Sequence, residues 1–539
     1  RPQAPTVDPR PARPVDARPA RPVETLPVDT LTARPPADPA ALVLAKAATV
    51  LGIPAERIDS SAPLTDYGLD SILVLQLTNA LREDFGEDVS PTLLFEAESV
   101  DALCARLAGA PDTTGTTGEP GRRWALSRGQ LTMYRDQVRC PDSVAYHLPL
   151  LFEVHGDPDE AALERAVREQ ARIHPLLGAV VAERDGVPYL DVDPARGPSF
   201  ERVDLTPTTR DGRLAALREL VGAPFDLAAG PLVRAHLAAL PDGRRLLLVT
   251  AHHILLDGTS TALLVRTLKD AYRGRGRLRS AEFGDYTAWE EELLAGPRGQ
   301  RHRDHWLAEL AGADGRLDLP YDRPPVPGRL PRADVVVTRL PRELADAVAT
   351  TARSHRVSAS TVLLAGYTRF LHRVTGQDDL IAGVTTAARY EERFQDVVGQ
   401  FANCLPIRST ATEDVAGLLR SLHRRVLAGI EHGAYPLAEI VRARGDGDGP
   451  LVRTNFLFQN FDGAELLTNG APTAPGDLDL RAFDDLPYPG EYPLALEVYR
   501  DEDGYKAFLK YDTRLFEEAT ARWLADDWLA ALREVVAGR

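Results

Sequence analysis

The strongest constraint on the fold is the alternation of strand-like and helical segments from about Arg123 to the C terminus. Strand-like runs such as DVVVTRLP and DLIAGVTT alternate with amphipathic helical segments such as DEAALERAVREQARIH and RELADAVATTARSH. This alternation is typical of a mixed α/β body. Because single hydrophobic cores stop growing at about 250–300 residues, a body of this length predicts two lobes, and we place their boundary near residues 296–300.

The chain before this body has a different pattern. Residues 1–38 are rich in Pro, Arg and Ala, and proline cannot occupy the interior of a helix or sheet. We interpret them as a semi-extended linker that tethers catalytic units; the alternative is a tail at the edge of an excised piece. Residues 39–111 contain three apolar-striped segments, PAALVLAKAATVLGI, SILVLQLTNALREDFG and SVDALCARLAG, which predict a small helical domain. Residues 112–122 predict a flexible Gly/Thr linker.

Charge and composition exclude several classes of protein. The net charge of −16 argues against nucleic acid or an anionic membrane as the main partner. We find no apolar run long enough for a membrane span and no N-terminal signal region. Cys104, Cys140 and Cys404 form neither a disulfide framework nor a zinc spacing, which favours a cytoplasmic location. His302 and His305 have no third ligand in view, so we expect an exposed helix face and no metal site.

Paired histidines follow a strand-like run in TAHHILLDG. If His252 and His253 continue the strand, they point to opposite faces, so one should face a site and the other should be structural. A single histidine at a strand end is more often a hydrogen-bonded core imidazole, and Asp257 alone would be a turn or salt-bridge residue. Gly258 would supply backbone freedom where the next helix starts.

Ser71 lies at the start of a predicted helix in LTDYGLDSILVLQL. Taken alone, it is best interpreted as a helix N-cap, with Asp70 favourable to the helix dipole. The N terminus of a helix also favours a phosphate. A phosphodiester on Ser71 is therefore the alternative.

These motifs resemble a known family. Residues 39–111 resemble an acyl or peptidyl carrier domain, whose Asp-Ser-hydrophobic motif receives 4′-phosphopantetheine; YGLDSI is nearer to the polyketide-type carriers. HHILLDG matches the His-His-x-x-x-Asp-Gly motif of nonribosomal peptide synthetase condensation domains, which are related to chloramphenicol-acetyltransferase-like acyltransferases. VVGQFANCLPIRS and VRTNFLFQNF resemble later motifs of the same family.

The resemblance implies a multidomain fold. A small all-α, four-helix carrier bundle at 39–111 would precede a two-lobed α/β chloramphenicol-acetyltransferase-like condensation domain, with its N-lobe at 123–297 and its C-lobe at 298–539. It also implies covalent 4′-phosphopantetheine on Ser71, beside Asp70. The donor acyl or peptidyl chain on this arm would pass to the amine of an acceptor aminoacyl thioester, forming an amide bond in a peptide or hybrid polyketide synthetase.

The resemblance also assigns roles within the condensation domain. His253 would face the tunnel where the two substrates meet, as a general base or as a positioning group. His252 would be a structural hydrogen-bonding group and Asp257 a structural ion-pair partner, while Gly258 would let the backbone approach the tunnel. Weaker candidates, Gln400 and Asn403, would line or brace the channel.

One departure from the family pattern concerns the first lobe. RIHPLLGAVV keeps His174 but has Pro175 and Gly178 where the family often has Glu and Arg. A second departure is Thr259, which replaces a common aromatic residue.

Several partners and alternatives accompany the resemblance. The implied partners are a phosphopantetheinyl transferase, a downstream or separate acceptor carrier domain or a free acceptor, and upstream synthetase modules. The same fold could instead form an ester with a hydroxyl acceptor, as in chain release, and the sequence does not separate alcohol from amine. The intact HHILLDG argues against a non-catalytic recruitment domain, and the later motifs fit condensation better than epimerisation.

Overall fold

The computed structural model describes two parts of the chain. In the first it describes residues 39–51, 53–60 and 64–67 and isolated positions between 73 and 103. In the second it describes residues 122–539 except 207–208, 276–280, 327, 412–413, 446–449, 460–476, 483–489 and 502–503. The predictions for Asp70, Ser71 and residues 1–38 and 112–121 lie outside the described residues.

The first part is helical around a small apolar core. Helix α1 (Pro39–Leu51) buries Val43 and Ala47, which lie four residues apart on one face. The helical residues Val74, Leu77 and Leu81 repeat with the same helical periodicity and are fully buried. Together they belong to one hydrophobic cluster, as the apolar stripes of the sequence predict.

Strands and helices alternate through the second part. The strands are β1 (Arg122–Ala125), β2 (His147–His155), β3 (Ala179–Arg184), β4 (Val187–Val192), β5 (Ser199–Asp204), β6 (Val233–Ala239), β7 (Arg245–His252), β8 (Ala333–Arg339), β9 (Asp379–Thr386), β10 (Asn403–Thr410), β11 (Thr454–Gln459), β12 (Asp479–Ala482), β13 (Leu494–Asp501) and β14 (Gly504–Asp512). The helices are α2 (Arg128–Arg139), α3 (Glu160–Ile173), α4 (Arg210–Gly222), α5 (Gly258–Tyr272), α6 (Phe283–Ala295), α7 (Pro297–Glu309), α8 (Arg342–His355), α9 (Ala359–Thr375), α10 (Val415–Glu431), α11 (Leu437–Arg444) and α12 (Glu518–Val536).

These strands form three sheets. The orders are β1-β4-β3, β12-β2-β7-β6-β5 and β10-β9-β11-β13-β14-β8. Apart from β12, the strands β1 to β7 and the strands β8 to β14 belong to different sheets, as two lobes require. The boundary between residues 297 and 298 stays a prediction.

Strand β12 joins the C-terminal half of the chain to the N-terminal sheet. It pairs antiparallel with β2, with Leu480 opposite Val154. Just before it, the carboxylate of Asp477 accepts two hydrogen bonds from Arg273 at 2.6 and 2.7 Å. A short segment from the far end of the sequence therefore completes the sheet that carries the paired histidines.

Helix α7 corrects one expectation from the sequence. His302 is buried, and its Nδ1 lies 2.9 Å from Nδ1 of His432. The ring of His305 stacks on His432 with centroids 3.8 Å apart, and Trp306 donates to the carbonyl of His432. The prediction of an exposed face was wrong because these rings pack α7 against the end of α10.

Among the described residues, no group of three His, Cys, Asp or Glu side chains is arranged to hold a metal ion. None of the described helices is both long and apolar enough to cross a bilayer.

Candidate active site

A cavity of about 650 Å³ lies between the five-stranded and six-stranded sheets. Leu148 and Leu150 of β2 line it on one side, and Leu457 of β11 and Phe508 of β14 line it on the other. The apolar wall is typical of a site that binds an apolar group. His253 opens onto this cavity.

His252 is the last residue of β7 and is fully buried. Its Nδ1 accepts a hydrogen bond from the N–H of Ile254 at 3.1 Å, and its Nε2 lies 3.3 Å from Oε1 of Gln137. The donor and acceptor capacity of the neutral ring is therefore used within the protein. Burial lowers the pKa of His252 to about 3, so the ring stays neutral and holds the strand end in place.

His253 follows the strand end and takes the opposite direction. Its N–H donates to the carbonyl of Tyr146 at 2.7 Å. Its side chain is 20% exposed, and Nε2 lies 3.9 Å from Oε1 of Glu491, which lines the same cavity. The alternation of the two rings thus places one imidazole in the core and the other at the cavity.

Asp257 is locked by the buried guanidinium of Arg389. Both side chains are 2% exposed, and two Arg389 nitrogens lie 2.9 and 3.1 Å from the two carboxylate oxygens. The carboxylate also accepts the N–H groups of Ser260 at 2.7 Å and Phe401 at 3.1 Å. Burial opposes ionisation, but Arg389 and these hydrogen bonds lower the pKa of Asp257 below its usual value.

Further hydrogen bonds connect the turn around Asp257 to the segment that follows β9. The hydroxyl of Ser260 donates to the carbonyl of Gly399 at 2.7 Å and accepts from Arg389 at 2.8 Å. The N–H of Asp257 donates to the same Gly399 carbonyl. Asp257 is also the N-cap of α5, whose first residue, Gly258, lines the cavity. The turn that carries His253 is therefore tied at its far end to the C-terminal half.

Gln400 and Asn403 both line the cavity. The amide of Asn403 donates to the carbonyls of Gly433 and Tyr435 at 2.9 and 3.2 Å and accepts from the N–H of Leu437 at 3.1 Å. The amide of Gln400 donates to the carbonyl of Ala402 at 2.9 Å. Both side chains hold backbone segments of the cavity wall.

The departures from the family pattern fall in two places. Thr259 lines the cavity. His174 packs away from it, with Nε2 3.1 Å from the hydroxyl of Thr267. A Cβ atom at Gly178 would lie 2.2 Å from the carbonyl oxygen of Asp193, so this backbone accepts only glycine there.

Sequence reasoning missed two charged residues of the site. Arg389 lies 132 positions after Asp257, and no local pattern links them. A buried carboxylate needs a cationic partner, and this was the available signal. It does not identify which arginine is the partner. Glu491 occurs in GEYPLALEVYR, just before an apolar run that indicates only a strand.

Comparisons with known proteins identify two families along the chain. The condensation domain family matches residues 122–538, and the phosphopantetheine attachment site family matches residues 41–107. The chain is 31% identical over 420 residues to polyketide synthase PksN of Bacillus subtilis (strain 168), which covers 75% of this chain and 8% of that protein. It is 27% identical over 500 residues to bacitracin synthase 3 of Bacillus licheniformis, which covers 90% of this chain and 8% of that protein.

Solved structures show the same similarity. The X-domain from teicoplanin biosynthesis is 25% identical and superposes with a TM-score of 0.68, covering 79% of this chain and 97% of that one. The chain thus spans nearly the whole of that domain, but only 8% of the length of each of the two synthases above.

Proposed function

The chain belongs to the condensation-domain family, with a phosphopantetheine attachment domain before it, and from this premise we propose that it joins two thioester-bound substrates by acyl transfer. The donor acyl or peptidyl chain is carried on Ser71, and the acceptor is the amine of an aminoacyl thioester. The product is an amide. The position of His253 carries the proposal, because its imidazole opens onto a cavity walled by both sheets.

The attached group supplies one piece of chemistry, since phosphopantetheine holds the acyl chain as a thioester. Ser71 precedes the described helical residues Leu73 and Val74, and the buried core around Val74 and Leu77 supports a carrier fold at this point of the chain. The proposed partners follow: a phosphopantetheinyl transferase that modifies Ser71, an acceptor carrier domain, and upstream synthetase modules.

In the proposed reaction, the acceptor nitrogen attacks the donor carbonyl carbon. A C–N bond forms, and the bond from that carbon to the leaving group breaks. His253 accepts a proton from the nitrogen and returns it to the leaving group. General base catalysis of this kind contributes about 10²–10⁴-fold, and orientation of the two substrates in one cavity adds to it.

The other site residues are proposed to position His253. Asp257 stays ionised against Arg389, so it holds the turn and carries no proton. His252 anchors the strand end from the core. Gln400 and Asn403 keep the opposite wall in place.

The test loads the chain and follows transfer. A phosphopantetheinyl transferase and an acyl coenzyme A should add one acyl-phosphopantetheine to the intact mass, and Ser71→Ala should gain none. A soluble aminoacyl thioester should then accept the acyl group. The chain should lose its acyl group at the same rate as the amide product forms. A chain that loads but never forms amide would refute the proposed reaction.

A further inference from the structure

Glu491 differs from the other acidic side chains near the cavity. Asp257 is paired with Arg389. Glu497 is paired with Lys510 at 2.5 Å and accepts a hydrogen bond from Tyr499 at 3.2 Å. In the part of the chain that is described, the carboxylate of Glu491 accepts no hydrogen bond, and the basic side chain within 4.0 Å is His253.

The surroundings leave the charge of Glu491 unbalanced. Asp136 has Arg139 at 3.4 Å and accepts from the hydroxyl of Tyr146 at 2.8 Å, while Lys510 is engaged by Glu497. Burial raises the pKa of Glu491, and the attraction of His253 and Lys510 opposes that rise. The accessible part of its side chain, 31%, lies on the cavity wall. A cation bound in the cavity would therefore lower the free energy of this carboxylate.

Glu491 also lies close enough to His253 for one ligand atom to contact both side chains. Its Oε1 lies 3.9 Å from Nε2 of His253. A single nitrogen atom can lie about 2.8 Å from both atoms, because two hydrogen bonds of ordinary length can span this separation. An ammonium group can donate one N–H to each, whereas a hydroxyl has a single O–H and no charge.

Resting on the proposed function, we propose that Glu491 binds the ammonium group of the acceptor and makes the site selective for amines over alcohols. The α-amino group of an aminoacyl thioester arrives largely protonated near neutral pH and must lose a proton before it can attack. Glu491 holds the ammonium while His253 takes that proton, and the freed lone pair attacks the donor carbonyl. Formation of the amide releases a second proton. One proton ends on the leaving sulfur and the other passes through His253 to solvent.

The experiment uses two soluble acceptors that differ only in the reacting group. They are the glycyl and glycolyl thioesters of N-acetylcysteamine, offered to the acyl-loaded chain. Glu491→Gln keeps the size of the side chain and removes its charge. Because hydrogen bonds to charged groups are the stronger ones, we expect Glu491→Gln to raise KM for the glycyl acceptor about 10–100-fold and to change kcat/KM for the glycolyl acceptor less than about 3-fold.

A matched control tests whether the loss of any negative charge from the cavity wall weakens binding of the amine acceptor. Glu497→Gln removes the same charge from the same cavity wall but lies in an ion pair with Lys510. Glu497→Gln should change kcat/KM for the glycyl and the glycolyl acceptor by the same factor. Equal losses with both acceptors in Glu491→Gln, no loss with either, or the same amine-selective loss in Glu497→Gln would each overturn the proposal, provided that urea unfolding shows the variants to be folded.

A binding measurement separates this proposal from the proposed function. The non-hydrolysable amide analogue of the glycyl acceptor should bind the wild type about 10–100-fold more tightly than Glu491→Gln in calorimetry. If the loaded wild type transfers to neither acceptor but binding still depends on Glu491, the proposed reaction fails and the ammonium site stands. If transfer proceeds but binding does not depend on Glu491, the ammonium site is overturned and the proposed reaction stands.

Discussion

Replacing Asp257 with Asn tests how the turn that carries His253 is held. Each carboxylate oxygen of Asp257 faces one Arg389 nitrogen and one backbone N–H. Whichever way an asparagine amide turns, its NH₂ group meets two donors, and the guanidinium loses its counter-charge. Breaking a buried pair in this way costs about 3–5 kcal/mol, a large share of the roughly 5–15 kcal/mol that stabilises a domain.

Urea unfolding followed by tryptophan fluorescence measures this loss. All five tryptophans lie beyond residue 122, so the signal reports the condensation part. Arg389→Gln alone should cost as much as Asp257→Asn. The double variant should cost less than the sum of the two by about 1.5–3 kcal/mol, because neither charge is then left alone.

An exposed ion pair provides the control. Glu164 and Arg168 lie 3.1 Å apart on α3, with side chains 30% and 57% exposed. Glu164→Gln should leave the free energy of unfolding nearly unchanged, because exposed ion pairs contribute little to stability. If Asp257→Asn unfolds within about 1 kcal/mol of the wild type yet transfers no acyl group, Asp257 acts in the chemistry and the positioning role is refuted.

Two further predictions concern stability. The unfolded chain protonates His252 below about pH 6.5, whereas the fold keeps it neutral down to about pH 3. The free energy of unfolding is therefore not reduced by His252 above about pH 6.5. As the pH falls below that value it decreases by up to about 1.4 kcal/mol per pH unit, because only the unfolded chain takes up the proton. Urea midpoints at pH 7, 6 and 5 should fall less steeply in His252→Gln, and equal slopes would contradict this. Gly178→Ala should lose about 2–3 kcal/mol or more, since its Cβ would meet the Asp193 carbonyl at 2.2 Å. Gly222→Ala, with open space around its Cβ, should be nearly neutral, and matching midpoints for the two variants would count against the steric argument.

Local periodicity accounts for what the sequence could predict. Side chains alternate along a strand, so two adjacent histidines were expected to diverge if the strand continued through both. The strand ends at His252, and the structure places one ring in the core and the other at the cavity. Helical spacing likewise identified the stripe that contains Leu77 and Leu81. Both rules need only a few neighbouring residues.

Contacts between distant segments account for what it could not predict. Arg389 meets Asp257 only after the two halves of the chain pack together. Strand β12 is four residues long and pairs with β2 from more than 300 positions away, which no local pattern indicates. His302 and His305 lie on α7, whereas His432 follows the last residue of α10. A sequence window on α7 could therefore show only two of the three rings.

A single-turnover comparison of wild type and His253→Gln tests the central claim most directly. Both chains are loaded with the same acyl group on Ser71 and mixed with a saturating aminoacyl thioester. His155→Gln, which alters a half-exposed histidine on β2, serves as the control and should transfer at nearly the wild-type rate. We predict that His253→Gln loads normally and transfers about 10²–10⁴-fold more slowly. A loaded His253→Gln chain that transfers within about 3-fold of the wild type, far short of the contribution of a general base, would contradict the account.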